Sequence, residues 1–225
     1  METTFAALGV APGLVDALKQ DGIETPFAIQ TLTLPDAIAG LDICGKAKTG
    51  SGKTLAFGLP LLGRVSKAKP HRPTGLILVP TRELANQVCT VLAPLASAVG
   101  RSVTAVYGGM GFEPQIAALV GGVDVIVGTP GRLIDLMERK EVQFTDIEGL
   151  VLDEADRMAD MGFMPQVQKI LYGLSGDYQT MLFSATLDGG VKQLVARYMR
   201  DPIFYEVESD EPTVDEMEHR FLFVH

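Results

Sequence analysis

Apolar residues follow two alternating patterns along the chain. Short continuous runs such as Gly75–Pro80 are typical of strands that are covered on both faces of a sheet. Longer segments such as Thr81–Ala98 carry leucines and valines three or four residues apart, which indicates amphipathic helices. This alternation predicts an α/β fold with a mainly parallel central sheet and helices on both faces.

The same patterns predict where the elements lie. We expect strands at 42–45, 75–80, 102–107, 124–128, 149–152, 179–183 and 203–207, and helices at 12–20, 26–40, 55–62, 81–98, 112–120, 129–138, 164–174 and 188–199. Ligands of such sheets bind at the carboxyl ends of the strands. Nearly every unusual tripeptide of this sequence directly follows a predicted strand, so we expect these tripeptides to converge on one edge of the sheet.

Composition narrows the class of protein but not its partner. The chain has 225 residues, of which 47% are hydrophobic, which is enough for a substantial core. The net charge of −9 argues at first against a nucleic-acid partner. However, seven acids lie in 206–218, whereas residues 1–205 carry 18 basic and 21 acidic residues. The basic segment 67–72 is interpreted as a solvated loop, and charge alone does not identify a partner.

The two cysteines and the N-terminus favour a cytoplasmic protein. Cys44 and Cys89 have neither the spacing of a zinc site nor that of a disulfide framework, so we expect reduced thiols. The first residues lack the basic start and apolar run of a signal peptide. No stretch approaches the roughly 18 apolar residues of a membrane span. We therefore expect no membrane partner.

A candidate phosphate-binding loop follows the first predicted strand. Ala47–Thr54 ends in Gly-Lys-Thr and leads into a helical pattern, the order typical of a P-loop. Gly50 and Gly52 allow backbone N–H groups to approach an anion closely, at the positive end of a helix. Lys53 is suited to terminal phosphates and the Thr54 hydroxyl to Mg²⁺. The alternative is a chance glycine-rich turn, and Ala47 stands where such loops usually carry glycine.

Two adjacent carboxylates follow a later strand. Asp153 ends an apolar run about a hundred residues after the P-loop, where a metal-holding aspartate is expected. Glu154 beside it is suited to orienting or deprotonating an attacking water. The alternative interpretation of this segment is a helix cap.

Taken in order, these motifs resemble the first RecA-like domain of DEAD-box RNA helicases. Residues 153–156 spell D-E-A-D, and the remaining motifs match segment by segment: 22–30 (the adenine-reading Q motif), 47–54, 80–84, 108–109, 129–132 and 184–186. In this family alanine is usual at the first P-loop position, so Ala47 fits. Two Q-motif positions differ, because Ile23 replaces a common aromatic residue and Phe27 stands where threonine is frequent.

The resemblance implies an ATP site with Mg²⁺. Gln30 would recognise the adenine edge and Phe5 would stack on the ring, with core packing of Phe5 as the alternative. The P-loop would bind phosphates through Ala47, Thr49, Gly50, Ser51, Gly52, Lys53 and Thr54. Thr54 and Asp153, the latter partly through water, would hold Mg²⁺. Lys53, Asp153 and Glu154 would be the catalytic residues.

The resemblance also implies RNA binding and its coupling to ATP. Arg82, Gly109, Thr129 and Arg132 would contact RNA phosphates without reading the sequence. The alternative for the two arginines is that they are solvated or salt-bridged. Asp156, Ser184 and Thr186 would link the ATP site to RNA binding by hydrogen bonds. A helix-start cap is the alternative for 184–186.

The implied organisation is a fragment of a longer enzyme. Residues 1–205 would form the ATP-binding domain, 206–218 an acidic linker, and 219–225 the first strand of a truncated second RecA-like domain. The whole protein would be an RNA-dependent ATPase that unwinds or remodels short RNA duplexes, whereas the fragment would bind nucleotide without unwinding. Two alternatives stay open: an ATP-gated RNA clamp or scaffold, and an unrelated P-loop kinase or DNA translocase. Partners in ribosome assembly or RNA decay do not follow from the motifs.

Overall fold

The computed structural model describes residues 3–207. The predicted linker at 206–218 and the final strand at 219–225 therefore lie outside the described residues, apart from Glu206 and Val207. Glu206 ends the last described strand, and its carboxylate lies 2.5 Å from Lys46 Nζ. Backbone pairing with the first strand continues through Glu206, in agreement with the strand predicted at 203–207.

The described strands form one seven-stranded sheet in which every pair is parallel. The strands are β1 Ile43–Lys46, β2 Gly75–Leu78, β3 Val103–Val106, β4 Val125–Gly128, β5 Gly149–Asp153, β6 Gln179–Ser184 and β7 Ile203–Glu206. Their order across the sheet is β3-β4-β2-β5-β6-β1-β7. The predicted parallel sheet is confirmed, and the carboxyl ends of all seven strands share one edge.

The helices lie in two layers, one on each face of the sheet. They are α1 Pro12–Gln20, α2 Ala28–Ala39, α3 Lys53–Arg64, α4 Arg82–Ala98, α5 Phe112–Val120, α6 Pro130–Glu138, α7 Ala155–Asp160, α8 Met164–Tyr172 and α9 Gly189–Tyr198. Alternate strand residues belong to two separate core clusters: Ile77 and Val151 pack with α1–α4, whereas Leu76 and Leu150 pack with α5–α9. Because successive residues of a strand point to opposite faces, a sheet covered on both sides requires continuously apolar strands.

One helix was missed by the apolar pattern. Helix α7 has only six residues and follows Glu154, whose backbone is left-handed with φ of 52°. A helix this short shows less than two turns of periodicity, which is too little for a 3.6-residue pattern to appear. The helix nevertheless matters for the site, since it carries Asp156.

No helix among residues 3–207 is long and apolar enough to cross a membrane.

Candidate functional site

The Ala47–Thr54 loop connects β1 to α3 at the carboxyl edge. Gly50 and Gly52 have φ of 85° and 88°, in the left-handed region that favours glycine. A Cβ atom at Gly52 would lie 2.5 Å from both Gln30 Nε2 and Phe27 Cδ2, so a larger residue does not fit without displacing these side chains. The Ala47 amide donates to the Ser184 carbonyl at 3.0 Å and thereby ties the loop to β6. The loop thus leads directly into the N-terminus of α3, where backbone N–H groups can bind an anion.

Lys53 is a buried cation at the base of this loop. Its side chain is 7% exposed, and Nζ donates to the Ala47 carbonyl at 3.1 Å. Nζ lies 4.0 Å from Asp153 Oδ1, and the Asp153 side chain is 4% exposed. The ammonium group is thus kept between the loop backbone and the end of β5.

Burial dominates the ionisation of Asp153. Loss of solvent raises the pKa of this carboxyl from 3.8 to about 6, because the nearby Lys53 charge only partly offsets the desolvation. The neighbouring Glu154 charge raises the pKa further. Asp153 Oδ1 accepts a hydrogen bond from the Glu154 amide at 3.0 Å. This carboxylate therefore lies where a further positive charge would be strongly favourable.

Glu154 adopts a backbone conformation that non-glycine residues rarely adopt. Its φ of 52° places it in the left-handed region at the end of β5, and strain of this kind is concentrated at functional sites. The Thr49 hydroxyl donates to Oε1 at 3.2 Å, and Arg157 Nη1 lies 3.2 Å from Oε2. The turn points the carboxylate across to the P-loop, although 105 residues separate Glu154 from Thr49.

These groups line one cavity of about 510 Å³. Its polar wall includes Thr49, Gly50, Gly52, Lys53, Thr54, Asp153 and Glu154, and its other walls include Ile23, Thr25, Phe27, Gln30, Leu55, Leu84, Gln87 and Val91. A cavity of this size with a few convergent polar groups is typical of a small-molecule site. The structure therefore brings together the two motifs that the sequence placed about a hundred residues apart.

Gln30 connects the P-loop to the start of α2. Its Nε2 donates to the Gly52 carbonyl at 2.9 Å, and its Oε1 accepts from the Phe27 amide at 2.8 Å. The side chain is only 2% exposed, yet it lines the cavity. Gln30 thus contacts the phosphate loop directly, and its hydrogen bond to Phe27 places it beside the apolar wall.

Phe5 does not lie where a ring-stacking residue was expected. It is 2% exposed and packs in the core cluster of α1–α4, and it lines a separate cavity of about 140 Å³ rather than the large one. Ile23 borders both cavities and stands between them. In this arrangement Phe5 packs in the core, which is the alternative given above, because burial of its apolar ring is more favourable in free energy than exposure at the cavity. The exposed aromatic residue on the cavity wall is Phe27, which is 59% exposed.

The residues fit an Mg²⁺ ion at the predicted position. The Thr54 hydroxyl and the buried Asp153 carboxylate line the same cavity, and oxygen donors are the ligands that Mg²⁺ prefers. Within residues 3–207, no group of three or more His, Cys, Asp or Glu side chains could hold a metal by itself. A magnesium ion here would depend on phosphate oxygens and water for its remaining ligands, which is its usual mode of binding.

Asp156 connects β5 to the segment after β6. Its amide donates to Ser184 Oγ at 3.0 Å, and its Oδ2 accepts from the amides of Ala185 and Thr186 at 3.2 and 3.1 Å. Helix α9 starts only at Gly189, with Asp188 at the N-cap position, so Ser184 and Thr186 do not cap it. The contacts instead hold the ends of two neighbouring strands together.

The predicted phosphate contacts lie at the ends of β2, β3 and β4, on the other half of the same edge. Arg82 has a 64% exposed side chain that pairs with Glu83 at 2.6 Å. Gly109 lies beside it, because a Cβ at Gly109 would be 3.7 Å from Arg82 Nη1. Thr129 is the N-cap residue of α6, and its hydroxyl makes no capping hydrogen bond. We call this the arginine half of the edge, and the ends of β1, β5 and β6 the P-loop half.

Arg132 is the buried member of the predicted phosphate contacts. It is 8% exposed, its Nη2 donates to the Met110 carbonyl at 2.9 Å, and its guanidinium carbon lies 4.1 Å from the centroid of the Phe112 ring. Asp135 is 4.0 Å away, at the limit of an ion pair. Arg132 is therefore neither a solvated nor a well-paired arginine. Phe112 was not identified from the sequence, although its position directly after the Gly108–Gly111 segment was visible.

Comparisons with known proteins agree with this arrangement. The family model described as DEAD/DEAH box helicase matches residues 27–194. The chain is 39% identical over 222 residues to the DEAD-box ATP-dependent RNA helicase CshA of Bacillus cereus, which covers 99% of this chain. It is 41% identical over 213 residues to the ATP-dependent RNA helicase DeaD of Klebsiella pneumoniae, which covers 94% of this chain. The crystal structure of a DEAD box protein from the hyperthermophile Methanococcus jannaschii superimposes with a TM-score of 0.83, at 34% identity over 92% of this chain.

The chain is shorter than the proteins it matches. It spans 42% of the length of the Bacillus cereus relative and 33% of the Klebsiella pneumoniae relative. It also spans 57% of the superimposed archaeal chain.

Proposed function

Because this chain belongs to the DEAD/DEAH box helicase family, we propose that it is the RecA-like ATP-binding domain of an ATP-dependent RNA helicase. The whole protein couples ATP hydrolysis to the local unwinding or remodelling of RNA duplexes. This chain supplies the nucleotide site and one half of the RNA-binding surface. The proposal includes a cytoplasmic location, since Cys44 and Cys89 are separate free thiols, as a reducing compartment favours.

A single observation carries the proposal. Lys53, Asp153 and Glu154 converge with Gln30 on one cavity of about 510 Å³. A phosphate loop, a carboxylate for a metal and a second carboxylate for water are the parts that phosphoryl transfer requires.

The geometry of this cavity supports ATP binding. The P-loop and the N-terminus of α3 form its polar wall, where backbone N–H groups can receive phosphates, and Lys53 supplies a positive charge. Gln30 has its amide at the junction between the phosphate loop and the apolar wall, where an adenine edge can be recognised through hydrogen bonds. Phe27 and Ile23 form the apolar surface beside it. Thr54 and Asp153 would hold Mg²⁺, which when bound neutralises phosphate charge.

Glu154 is proposed to orient the attacking water and to accept its proton. Its carboxylate faces the P-loop through the Thr49 hydroxyl, and Arg157 helps to fix its orientation. General-base catalysis by a positioned carboxylate contributes roughly 10²- to 10⁴-fold in rate. Because Glu154 directly follows Asp153, the same turn of the backbone positions the carboxylate that would orient the water and the carboxylate that would hold the metal.

Coupling between ATP and RNA is proposed to pass through Asp156, Ser184 and Thr186. These residues join the ends of β5 and β6, directly beside the P-loop. Arg82, Gly109, Thr129 and Arg132 are proposed to lie along an RNA backbone, because phosphate contacts from arginines and helix N-termini bind without reading the sequence. We propose that a movement of the P-loop is transmitted along the joined ends of β5 and β6 to β2, the neighbour of β5 at which the arginine half begins.

A second RecA-like domain of the same protein is proposed to complete both sites. The chain spans only 42% of a relative that it matches along 99% of its own length. An arginine from outside the nucleotide-binding domain accelerates related NTPases by about 10³- to 10⁵-fold. We therefore expect this chain alone to bind ATP, to hydrolyse it slowly and to separate no strands.

RNA-stimulated ATP hydrolysis tests the proposal. The rate would be measured for the 225-residue chain and for a chain extended to the full length of the relatives, with single-stranded RNA, with DNA of the same sequence and without nucleic acid. We expect strong stimulation by RNA only in the longer chain. Absence of RNA stimulation would contradict the helicase proposal, and equal stimulation by DNA would favour a DNA translocase. Stimulation without strand separation would favour the ATP-gated RNA clamp.

A further inference from the structure

One phenylalanine contacts two arginines at the arginine half of the edge. The guanidinium carbons of Arg132 and Arg139 lie 4.1 and 3.9 Å from the centroid of the Phe112 ring. Both distances are well within the range of cation–π interactions. We call these three residues the Phe112 clamp.

The clamp compensates a buried charge. Arg132 is 8% exposed, and its Nε and Nη1 atoms have no hydrogen-bond partner among the described residues. Burial of these unsatisfied donors is costly, whereas the negative face of an aromatic ring is a favourable neighbour for the cation. Phe112 therefore helps to hold this guanidinium in its buried position, together with the Met110 carbonyl that accepts from Nη2.

The clamp also fixes a loop. Arg132 Nη2 donates to the Met110 carbonyl at 2.9 Å. From the other side, the Gln115 side chain accepts from the Tyr107 amide and donates to the Tyr107 and Gly111 carbonyls, each at 3.2 Å. The loop at 107–111 is thus attached to α5 through Gln115 and to α6 through Arg132.

Sequence spacing explains why one ring reaches both arginines. Arg132 lies in α6, and Arg139, seven residues later, is the C-cap residue of this helix, so the two side chains leave the same face about two turns apart. Phe112 is the first residue of α5, and the loop that it follows contains Gly109. The ring therefore joins the start of α5 to the whole length of α6.

We propose that Phe112 is a positioning residue for RNA binding. By holding Arg132 and the loop at 107–111, it fixes the relative position of Gly109 and Thr129, which lie at the ends of two neighbouring strands. This proposal rests on the proposed function, because it assumes that the arginine half of the edge binds RNA phosphates. Arg139 assists from the far end of α6.

Replacement of Phe112 by leucine tests this role. Leucine retains apolar bulk and leaves the net charge unchanged, so any loss of RNA affinity comes from the missing ring and not from lost Coulomb attraction. We expect Phe112→Leu to weaken single-stranded RNA binding by about three- to tenfold, the range of a partly desolvated cation–π contact. Affinity for ATP should stay within twofold.

Two matched variants separate positioning from packing. Phe112→Tyr keeps an aromatic face and should bind RNA as the unmodified chain does. Phe204→Leu makes the same substitution on β7, at the opposite end of the sheet, where the side chain is 58% exposed. It should leave RNA affinity unchanged. If Phe112→Tyr fails to restore binding, or if Phe204→Leu weakens it equally, the proposal is wrong.

Amide hydrogen exchange tests the proposal independently of RNA. Phe112→Leu should speed exchange in the peptide that spans 107–112 and leave the peptide that spans 47–54 unchanged. Faster exchange in both peptides, together with a lower melting temperature, would mean that Phe112 only stabilises the fold. Unchanged exchange at 107–112 would also overturn the proposal. If the unmodified chain binds no RNA, the proposed function is weakened, while the exchange data still decide whether Phe112 positions the loop.

Discussion

The two halves of the carboxyl edge hold their polar side chains in different ways. In the P-loop half, Gln30, Lys53 and Asp153 are 2%, 7% and 3% exposed, and each contacts another part of the site. In the arginine half, the Arg82 side chain is 64% exposed, and its one ion pair within residues 3–207 is with its neighbour Glu83. Contacts within the protein hold the polar side chains of the P-loop half in place without a ligand. In the arginine half, by contrast, Arg82 faces solvent.

This difference predicts different sensitivities. Replacement of a buried charged residue, or of its partner, changes binding or rate by orders of magnitude, because little solvent screens the charge. An exposed phosphate contact contributes a small, additive and salt-dependent amount. The experiments below are ordered by the size of the effect that we expect.

Glu154→Gln should produce the largest effect on rate. Glutamine keeps the shape of the side chain and can still accept the Thr49 hydrogen bond, but it cannot accept a proton from water. We expect turnover to fall by at least about 100-fold with ATP affinity within twofold. Single-turnover hydrolysis with the chain in excess over ATP, combined with an ATP titration, measures both. Equal losses in binding and turnover would show that Glu154 serves to build the cavity instead.

Asp153→Asn should change how stability depends on pH. The folded pKa of about 6 lies above the ordinary value of 3.8, so the folded state binds the proton more tightly and stability falls as pH rises between these values. Above that window the charged carboxylate costs the fold a constant amount. We expect the asparagine variant to be more stable at pH 7.5 by about 1–3 kcal/mol, because each pKa unit between the folded and the ordinary value corresponds to about 1.4 kcal/mol.

Urea unfolding without nucleotide or Mg²⁺ measures this gain. The advantage of Asp153→Asn should shrink as pH is lowered and vanish near the ordinary pKa of aspartate. An advantage that is the same at every pH would contradict the link to ionisation, and a variant less stable at neutral pH would mean that the Lys53 ion pair outweighs burial.

The P-loop half could be predicted from sequence because its parts are local. Strand, loop and helix follow one another within Ile43–Arg64, and glycine at position 52 reflects a left-handed backbone that the sequence already favours. Asp153 and Glu154 were found because they end an apolar run. What the sequence could not give is burial and distance, such as the almost complete burial of Asp153 that raises its pKa and the 4.0 Å to Lys53 that partly offsets this effect.

The arginine half was predicted less well because its geometry depends on packing between distant elements. The sequence did not indicate the burial of Arg132, which depends on a ring from α5 and on a carbonyl of the loop before it. The burial of Phe5 likewise depends on packing against α1–α4, which the sequence around this position does not reveal. The sequence signals of the clamp were the seven-residue spacing of Arg132 and Arg139 and the position of Phe112 directly after the Gly108–Gly111 segment.

Gln30→Ala should have an intermediate effect. The amide connects Gly52 to the Phe27 backbone, so its loss removes both a candidate adenine contact and a support of the P-loop. We expect the preference for ATP over GTP to fall by about fivefold or more, from competition titrations, because one specific hydrogen bond contributes about 1 kcal/mol. Unchanged selectivity with weaker binding of both nucleotides would mean that Gln30 supports the P-loop but does not recognise adenine.

Arg82→Ala and Arg132→Ala should have the smallest effects, and they differ in kind. Arg82→Ala removes an exposed contact and should weaken RNA binding a few-fold, with an unchanged melting temperature. The slope of the logarithm of RNA affinity against the logarithm of salt concentration should become shallower by about one. Arg132→Ala should also weaken RNA binding with a shallower slope, but it should lower the melting temperature as well, because the Met110 carbonyl loses its donor. If neither variant changes the slope, the arginine half does not contact phosphates.

The central claim is that Ala47–Thr54 and Asp153 form an ATP site, and a calorimetric titration tests it most directly. The chain would be titrated with ATP and Mg²⁺ alongside Lys53→Ala, which removes the buried cation, and Lys169→Ala, which removes an exposed lysine on α8. We predict one ATP per chain for the unmodified protein and for Lys169→Ala, and no detectable binding for Lys53→Ala. Binding that survives in Lys53→Ala, or that is absent from the unmodified chain, would contradict the account.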